Sequence, residues 1–389
     1  MSVHDISAFD PNDYPYLNRG LEGIVAFSTT KSFIDGQKGD LIYSGYNIHT
    51  LAEHATFEEV CHLLWHDRLP NRTELEDLKT SLSGKRHIPE SVKAFIRSAP
   101  ASAEPMSVLR SAVSMLADHR PEPTGDETAD ILAAAVDMTA KIPTIIAAFD
   151  RVRHGREILE PLGEGGTAEE FLYMLNGEKP GEAAIRTMDL CLVLHAEHGM
   201  NASTFATRAI ASTLSDIYSA VTGAIGSLKG PLHGGANTAV MNMLLDMMEK
   251  GSDLDVAAEV RGKLARKEKI MGFGHRVYKT FDPRAVHLQK MAKSLSEETG
   301  HEQLYDWSMT ILDTLKKEKN LDPNVDFFSA TVYYSIGIQP DLYTAIFAMS
   351  RISGWSAHYM EQWENNRLIR PRSLYIAAKN LDWVPIDER

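Results

Sequence analysis

The chain has 389 residues, 43% of them hydrophobic and 24% charged, a globular balance with material for a large core and, by length, for two or three domains of roughly 150 residues. The formal net charge of -13 argues against nucleic acid or an anionic membrane surface as partner. Cys61 and Cys191 are the two cysteines. Both lie in apolar helical patterns and read as buried free thiols in a reducing compartment. The first residues show neither a signal nor a transit pattern, and no apolar run approaches the ~20 residues of a membrane span. The expectation is a cytoplasmic protein.

Only residues 20–46 look β-like. Segments 23–30 and 40–43 flank the turn-rich stretch 35–39, which suggests a small antiparallel element. Helical periodicity then takes over. Thr56-Phe-Glu-Glu59 fits a capping box, with Phe57, Val60, Cys61, Leu64 and Trp65 on one face. Further helices are expected over 72–83, 90–99, 105–119, 127–151, 168–176, 183–197 and 203–226. The last is rich in small residues, which suit close packing in the core or against a partner subunit. The pattern continues over 236–250, 254–268, 283–298, 301–319, 328–336 and 340–361. There is no repeat and no βαβ alternation, so the fold class is mainly α.

Five islands carry chemistry. In Leu194-His-Ala-Glu-His-Gly-Met-Asn-Ala-Ser-Thr204, His195 and His198 are three apart on one helix face, with Asn201 or Ser203 as N-cap. Helical zinc motifs read H-E-x-x-H or H-x-x-E-H, and this segment is neither, so no metal is expected. In Gly230-Pro-Leu-His-Gly-Gly-Ala-Asn237 the glycines open the backbone around His233. The helix that follows disfavours an imidazolium there, although a plain interhelical turn would look the same.

The third island, Met271-Gly-Phe-Gly-His-Arg-Val-Tyr-Lys-Thr-Phe-Asp-Pro-Arg284, closes a stretch holding eight Lys or Arg against two acids, Glu268 and Asp282. The run from Arg261 to Lys269 reads equally as a solvated helix face. Gly272-Phe-Gly274 beside His275 adds exposed N–H groups suited to a phosphorylated or carboxylated ligand. In Asn324-Val-Asp-Phe-Phe-Ser-Ala330, Asp326 lies among apolar residues. Desolvation there makes a stronger base, although an N-cap for a helix beginning near Phe328 is the competing reading. Finally, Arg351-Ile-Ser-Gly-Trp-Ser-Ala-His358 and Leu368-Ile-Arg-Pro-Arg372 offer arginine forks suited to carboxylates.

Taken in order, these islands resemble the citrate synthase family across nearly the whole chain, and residues 20–48 resemble the start of its shorter members. The resemblance implies a two-domain helical fold with a small N-terminal antiparallel β element. Residues 1–234 and 338–389 would form a large domain and 235–337 a small one, in a homodimer with shared sites. It implies an acyltransferase of the tricarboxylic acid cycle that converts acyl to alkyl on transfer. Acetyl-CoA would condense with oxaloacetate, and citryl-CoA would be hydrolysed to citrate and CoA. No cofactor would be bound permanently, since the coenzyme A thioester is a substrate.

By the same resemblance, His233 holds the thioester carbonyl, Asp326 removes the methyl proton and His275 polarises the ketone. His198, Arg284, Arg351 and Arg370 bind oxaloacetate, Arg370 reaching in from the other subunit. Ile270, Met271, Gly272, Phe273 and Gly274 hold coenzyme A. The nearest alternative is 2-methylcitrate synthase using propionyl-CoA, or dual use of both thioesters. Arg276 looks citrate-type, since methylcitrate-type members tend to carry proline after the histidine. A non-catalytic CoA-binding relative and a zinc hydrolase on His195 and His198 are the outsiders. With residues 1–19 too short for an NADH-regulatory domain, a dimer without NADH inhibition is expected.

Overall fold

The computed structural model describes residues 10–275 and 277–389; the remark on Arg276 lies outside the described residues. Contacts divide the chain into two units. One is Thr29–Arg367, and the other joins Met1–Ser28 to Leu368–Arg389. The larger unit opens with a three-stranded antiparallel sheet in the order β1 (Ser32–Asp35), β2 (Asp40–Tyr43), β3 (Tyr46–Asn47). Ser32 pairs with Tyr43, and Asp35 with Asp40. The first strand therefore lies later than the expected 23–30. The 35–39 turn is tied off by Asp35, whose carboxylate accepts from Gln37 and Lys38 N–H.

Sixteen helices follow among the described residues. The first nine are α1 (Ile48–His54), α2 (Phe57–His66), α3 (Arg72–Lys85), α4 (Glu90–Ser98), α5 (Pro105–Leu116), α6 (Glu127–Arg153), α7 (Thr167–Asn176), α8 (Glu182–His195) and α9 (Ala202–Ala211). The rest are α10 (Ile217–Leu228), α11 (Ala236–Met248), α12 (Val256–Ala265), α13 (Pro283–Thr299), α14 (Glu302–Lys319), α15 (Val325–Ser335) and α16 (Tyr343–Glu364).

The capping box forms as read, with Thr56 N–H donating to Glu59 Oε2 at 2.7 Å and Glu59 N–H to Thr56 Oγ1 at 3.4 Å. The expected helix 203–226 is two helices. The chain turns at Leu214, which has φ 62°, and Asp216 caps the second helix through Ser219 N–H. Buried α16 packs on α2, α6, α8, α9 and α10 and forms the spine of the core. α6 has the length and apolar composition of a membrane span, unlike anything expected from the sequence, but 83% of that window is buried inside the fold. Cys61 and Cys191 are buried free thiols.

Two features of this scaffold position the chemistry. The β1–β2 turn grips the loop after His275. Lys279 N–H donates to Gly36 O at 2.8 Å, and a Cβ on Gly36 would fall 2.3 Å from the Val277 carbonyl oxygen. The second is the packing of α15 against both α11 and α13, which joins the islands at 230–237, 271–284 and 324–330.

Candidate active site

α8 ends at His195, so His195 and His198 do not share a helix face as expected. His195 Nδ1 donates to the Cys191 carbonyl at 2.7 Å, and its Nε2 is buried without a partner among the described residues. Burial, with Arg284 adding to it, depresses its pKa to about 3. His198, beyond the helix, turns toward the third island. Its ring centroid is 5.3 Å from that of His275, and its Nε2 is 3.1 Å from the Tyr278 hydroxyl. Asn201 is the N-cap of α9, accepting from Ser203 and Thr204 N–H.

His275 is held through one nitrogen. Val277 and Tyr278 N–H both donate to its Nδ1, at 3.0 and 3.1 Å. A backbone N–H only donates, so Nδ1 carries the lone pair and the ring proton sits on Nε2. Burial, reinforced by Arg284, lowers its pKa to about 4. It is a neutral donor at neutral pH.

The same construction recurs at His233. Its Nε2 faces the Ser203 hydroxyl at 2.8 Å and takes the Ser203 N–H at 3.4 Å, while Trp355 Nε1 donates to that hydroxyl at 3.0 Å. The Ser203 hydroxyl also donates to Asn201 Oδ1 at 2.7 Å, so it is the Ser203 N–H on Nε2 that puts the ring proton on Nδ1. Burial and then Arg351 bring its pKa to about 4. His233 precedes α11 in a turn pinned by Gly234 N–H to Leu228 O and by Thr344 Oγ1 to Gly234 O.

Asp326 sits in the first turn of α15, and the N-cap is Asn324, whose side chain accepts from Asp326 N–H. The cap reading of Asp326 is thereby corrected. The residue keeps some solvent exposure, but burial of its carboxyl moves the pKa from 3.8 to about 7, with Arg284 and Arg351 opposing and Asp282 reinforcing. Asp282 is the hidden organiser. It is 1% exposed and accepts Arg284 Nε at 3.0 Å, Arg284 Nη2 at 2.8 Å and Val325 N–H at 3.2 Å. Burial opposes both charges, but their pairing keeps Asp282 below, and Arg284 above, the usual value.

Arg351, 1% exposed, donates from Nε to the His195 carbonyl at 2.6 Å and lies 4.7 Å over the Phe347 ring, and its Nη2 has no partner among the described residues. Burial lowers its pKa to about 10. Phe347 also faces His195 and His233, at 5.0 and 6.4 Å between centroids.

The segment Ile270 to Gly274 runs beside the strand-like entry to α15. Phe273 bridges Pro323, Gly274 N–H donates to Asp322 O, and Asn324 N–H donates to Gly272 O. Gly272 has φ 82°, and a Cβ there would fall 2.8 Å from Val240 and 2.9 Å from Phe327. Of the cations nearby, Arg266 and Lys263 pair with Glu268, as a solvated face would. Arg370 is exposed and belongs to the smaller unit.

Sequence reasoning missed the roles of Ser203, Tyr278, Asp282 and Phe347. Only Asp282 had a local signal, an Asp before Pro at a helix start.

The family model for the citrate synthase C-terminal domain matches residues 20–372. Citrate synthase 2 of Bacillus subtilis is 49% identical over 95% of this chain and 99% of its own length. A 2-methylcitrate synthase of Shewanella oneidensis is 42% identical over 95% of this chain and 97% of its own. Among solved structures, the ternary complex of Thermoplasma acidophilum citrate synthase with carboxymethyl coenzyme A and oxaloacetate has a TM-score of 0.89 at 34% identity, covering 96% of this chain and 99% of that one.

Proposed function

The chain belongs to the citrate synthase family, and we propose that it condenses acetyl-CoA with oxaloacetate and hydrolyses the citryl-CoA formed to citrate and CoA. The observation that carries this is a pair of neutral histidine donors, His233 under the field of Arg351 and His275 under that of Arg284, with the buried Asp326 carboxyl, raised to about 7, under the fields of the same two arginines. Methyl deprotonation of a thioester needs a base acting together with a donor to the developing oxyanion. Asp326 is the base, and His233 Nδ1–H is the donor to the thioester oxygen. His275 Nε2–H polarises the ketone of oxaloacetate, so that the enol carbon attacks the ketone carbon. His198, Arg284 and Arg351 hold the substrate oxygens, and Ile270 to Gly274 receives coenzyme A.

Residues 235–337 are proposed to move as a small domain against 1–234 and 338–389. The hydrogen bonds between 272–274 and 322–324 support this, because they make the coenzyme A loop and the base one piece. Closure would then exclude water during condensation. A homodimer with Arg370 completing the partner's site is proposed likewise. The smaller unit supports it by leaving Tyr375, Leu381, Trp383 and Ile386 exposed, an apolar surface suited to a second chain.

The test is steady-state release of CoA thiol with oxaloacetate and either acetyl-CoA or propionyl-CoA. The expected result is oxaloacetate-dependent release with acetyl-CoA preferred. One methylene is worth roughly 10–200-fold in such a pocket. Because the Shewanella relative is a 2-methylcitrate synthase, a preference for propionyl-CoA would move the assignment to that reaction. No oxaloacetate-dependent release with either thioester would overturn both.

A further inference from the structure

We propose that Tyr278 is a positioning residue that sets which nitrogen carries the proton in both His198 and His275, through its hydroxyl for the first and its main-chain N–H for the second. Its consequence for turnover rests on the condensation reading above; its consequence for the protons does not.

Tyr278 lies three residues after His275 and is 3% exposed. Its N–H is one of the two donors that leave His275 Nδ1 unprotonated. Its ring reaches back across His275, 4.7 Å between centroids, to His198, 5.5 Å away. There its hydroxyl meets His198 Nε2 at 3.1 Å, and His198 is itself 9% exposed.

Two arrangements fit that contact. If His198 donated from Nε2, the phenol proton would have no acceptor among the described residues. If the phenol donates, Nε2 is satisfied as acceptor and the His198 proton lies on Nδ1, to which no described residue bonds. Each arrangement leaves one donor unmatched, so donor strength decides between them: the phenol is the better donor of the pair, and a pyridine-type nitrogen the better acceptor. The second arrangement therefore holds. It leaves each ketone-side histidine with one nitrogen anchored on Tyr278 and a donor N–H on the other, as an oxyanion or carboxylate substrate requires. The loop that carries Tyr278 is clamped by the β1–β2 turn through Lys279 N–H and Gly36 O, so the small sheet acts on the site through this residue.

The experiment is 15N NMR of the full-length protein labelled at histidine, wild type against Tyr278→Phe, with His198 and His275 assigned by single replacement of each. Expected in the wild type is a proton on Nδ1 of His198 and on Nε2 of His275. In Tyr278→Phe, His198 should move toward the Nε2–H form, while His275, whose backbone donors are intact, should not change. KM for oxaloacetate should rise about 2–10-fold, the effect of one neutral hydrogen bond, with KM for the thioester within about twofold of wild type. An unchanged His198 signal in Tyr278→Phe, or His275 moving together with it, would overturn the proposal. Tautomers as stated in a protein without oxaloacetate-dependent turnover would support it and sink the condensation reading instead.

Discussion

Asp326 costs the folded protein stability, and Asp326→Asn measures how much. Burial raises its pKa from 3.8 to about 7. A folded-state pKa above the unfolded value gives stability that is complete below the unfolded pKa and is lost as pH rises through the folded one. The sign is therefore unfavourable above pH 7, where the ionised carboxylate is worth roughly 4 kcal/mol against folding at 1.36 kcal/mol per pKa unit. An asparagine does not ionise. Its stability advantage over wild type should grow by roughly 2.5 kcal/mol between pH 5 and pH 8. Urea unfolding of both proteins at the two pH values reads this directly, because titrating groups not coupled to Asp326 cancel in the difference. The same pKa predicts that wild-type kcat/KM for the thioester falls about tenfold per pH unit below ~7, as an essential base demands. The variant should lose nearly all turnover while oxaloacetate still binds. An equal stability gap at pH 5 and pH 8 would refute the claim that desolvation sets this carboxyl.

Asp282→Ala should cost about 3–5 kcal/mol, because it strands buried Arg284. Asp282 is the N-cap of α13 and accepts Arg284 N–H at 3.1 Å, so Asp282→Asn, which keeps that cap, should cost about 1 kcal/mol less than the alanine; equal losses in denaturant titration would contradict the capping role. Gly272→Ala places a side chain at φ 82° against Val240 and Phe327, and should lower stability by about 1–3 kcal/mol while raising KM for the thioester more than for oxaloacetate. An unchanged thioester KM in a destabilised variant would separate that loop from coenzyme A. Mixing an Arg370→Ala chain with an Asp326→Ala chain should recover activity absent from either alone. No recovery in verified heterodimers would argue against a site shared between subunits.

What could be read from the chain was local. The box at Thr56 and Glu59 needs only residues three apart, and the helices around Phe57 and Pro283 follow from caps and periodicity. The break at Leu214 was not legible, because a leucine in the left-handed region carries no glycine or proline signal. Strand β1 was placed early because the apolar segment 23–30 looks more strand-like than Ser32–Asp35, whose pairing comes from β2. The motifs identified His233, His275 and Asp326, but not what tunes them. Ser203, Phe347 and Tyr43 reach the site only through tertiary packing, Tyr43 by its hydroxyl to the Leu194 carbonyl at 3.2 Å. Spacing in sequence says nothing about such partners.

The two buried arginines are prepared differently, and the difference ranks what each contributes to substrate binding. Arg284 already has a carboxylate in the bidentate grip of Asp282. A second carboxylate approaching it meets a neutralised pair and gains little Coulomb attraction. Among the described residues, Arg351 has no carboxylate within hydrogen-bond reach. Its Nε is held by a carbonyl, its Nη2 lacks a partner, and burial depresses its pKa to about 10. A carboxylate arriving there removes an unmet desolvation penalty and gains a charge-assisted bond. In the proposed reaction oxaloacetate should therefore draw most of its binding energy from Arg351. Arg351→Gln should raise the oxaloacetate Kd far more than Arg284→Gln does, provided each variant is folded by circular dichroism. Isothermal titration of the two variants decides it. Equal losses, or a greater loss at Arg284, would mean that Asp282 releases its partner when substrate enters.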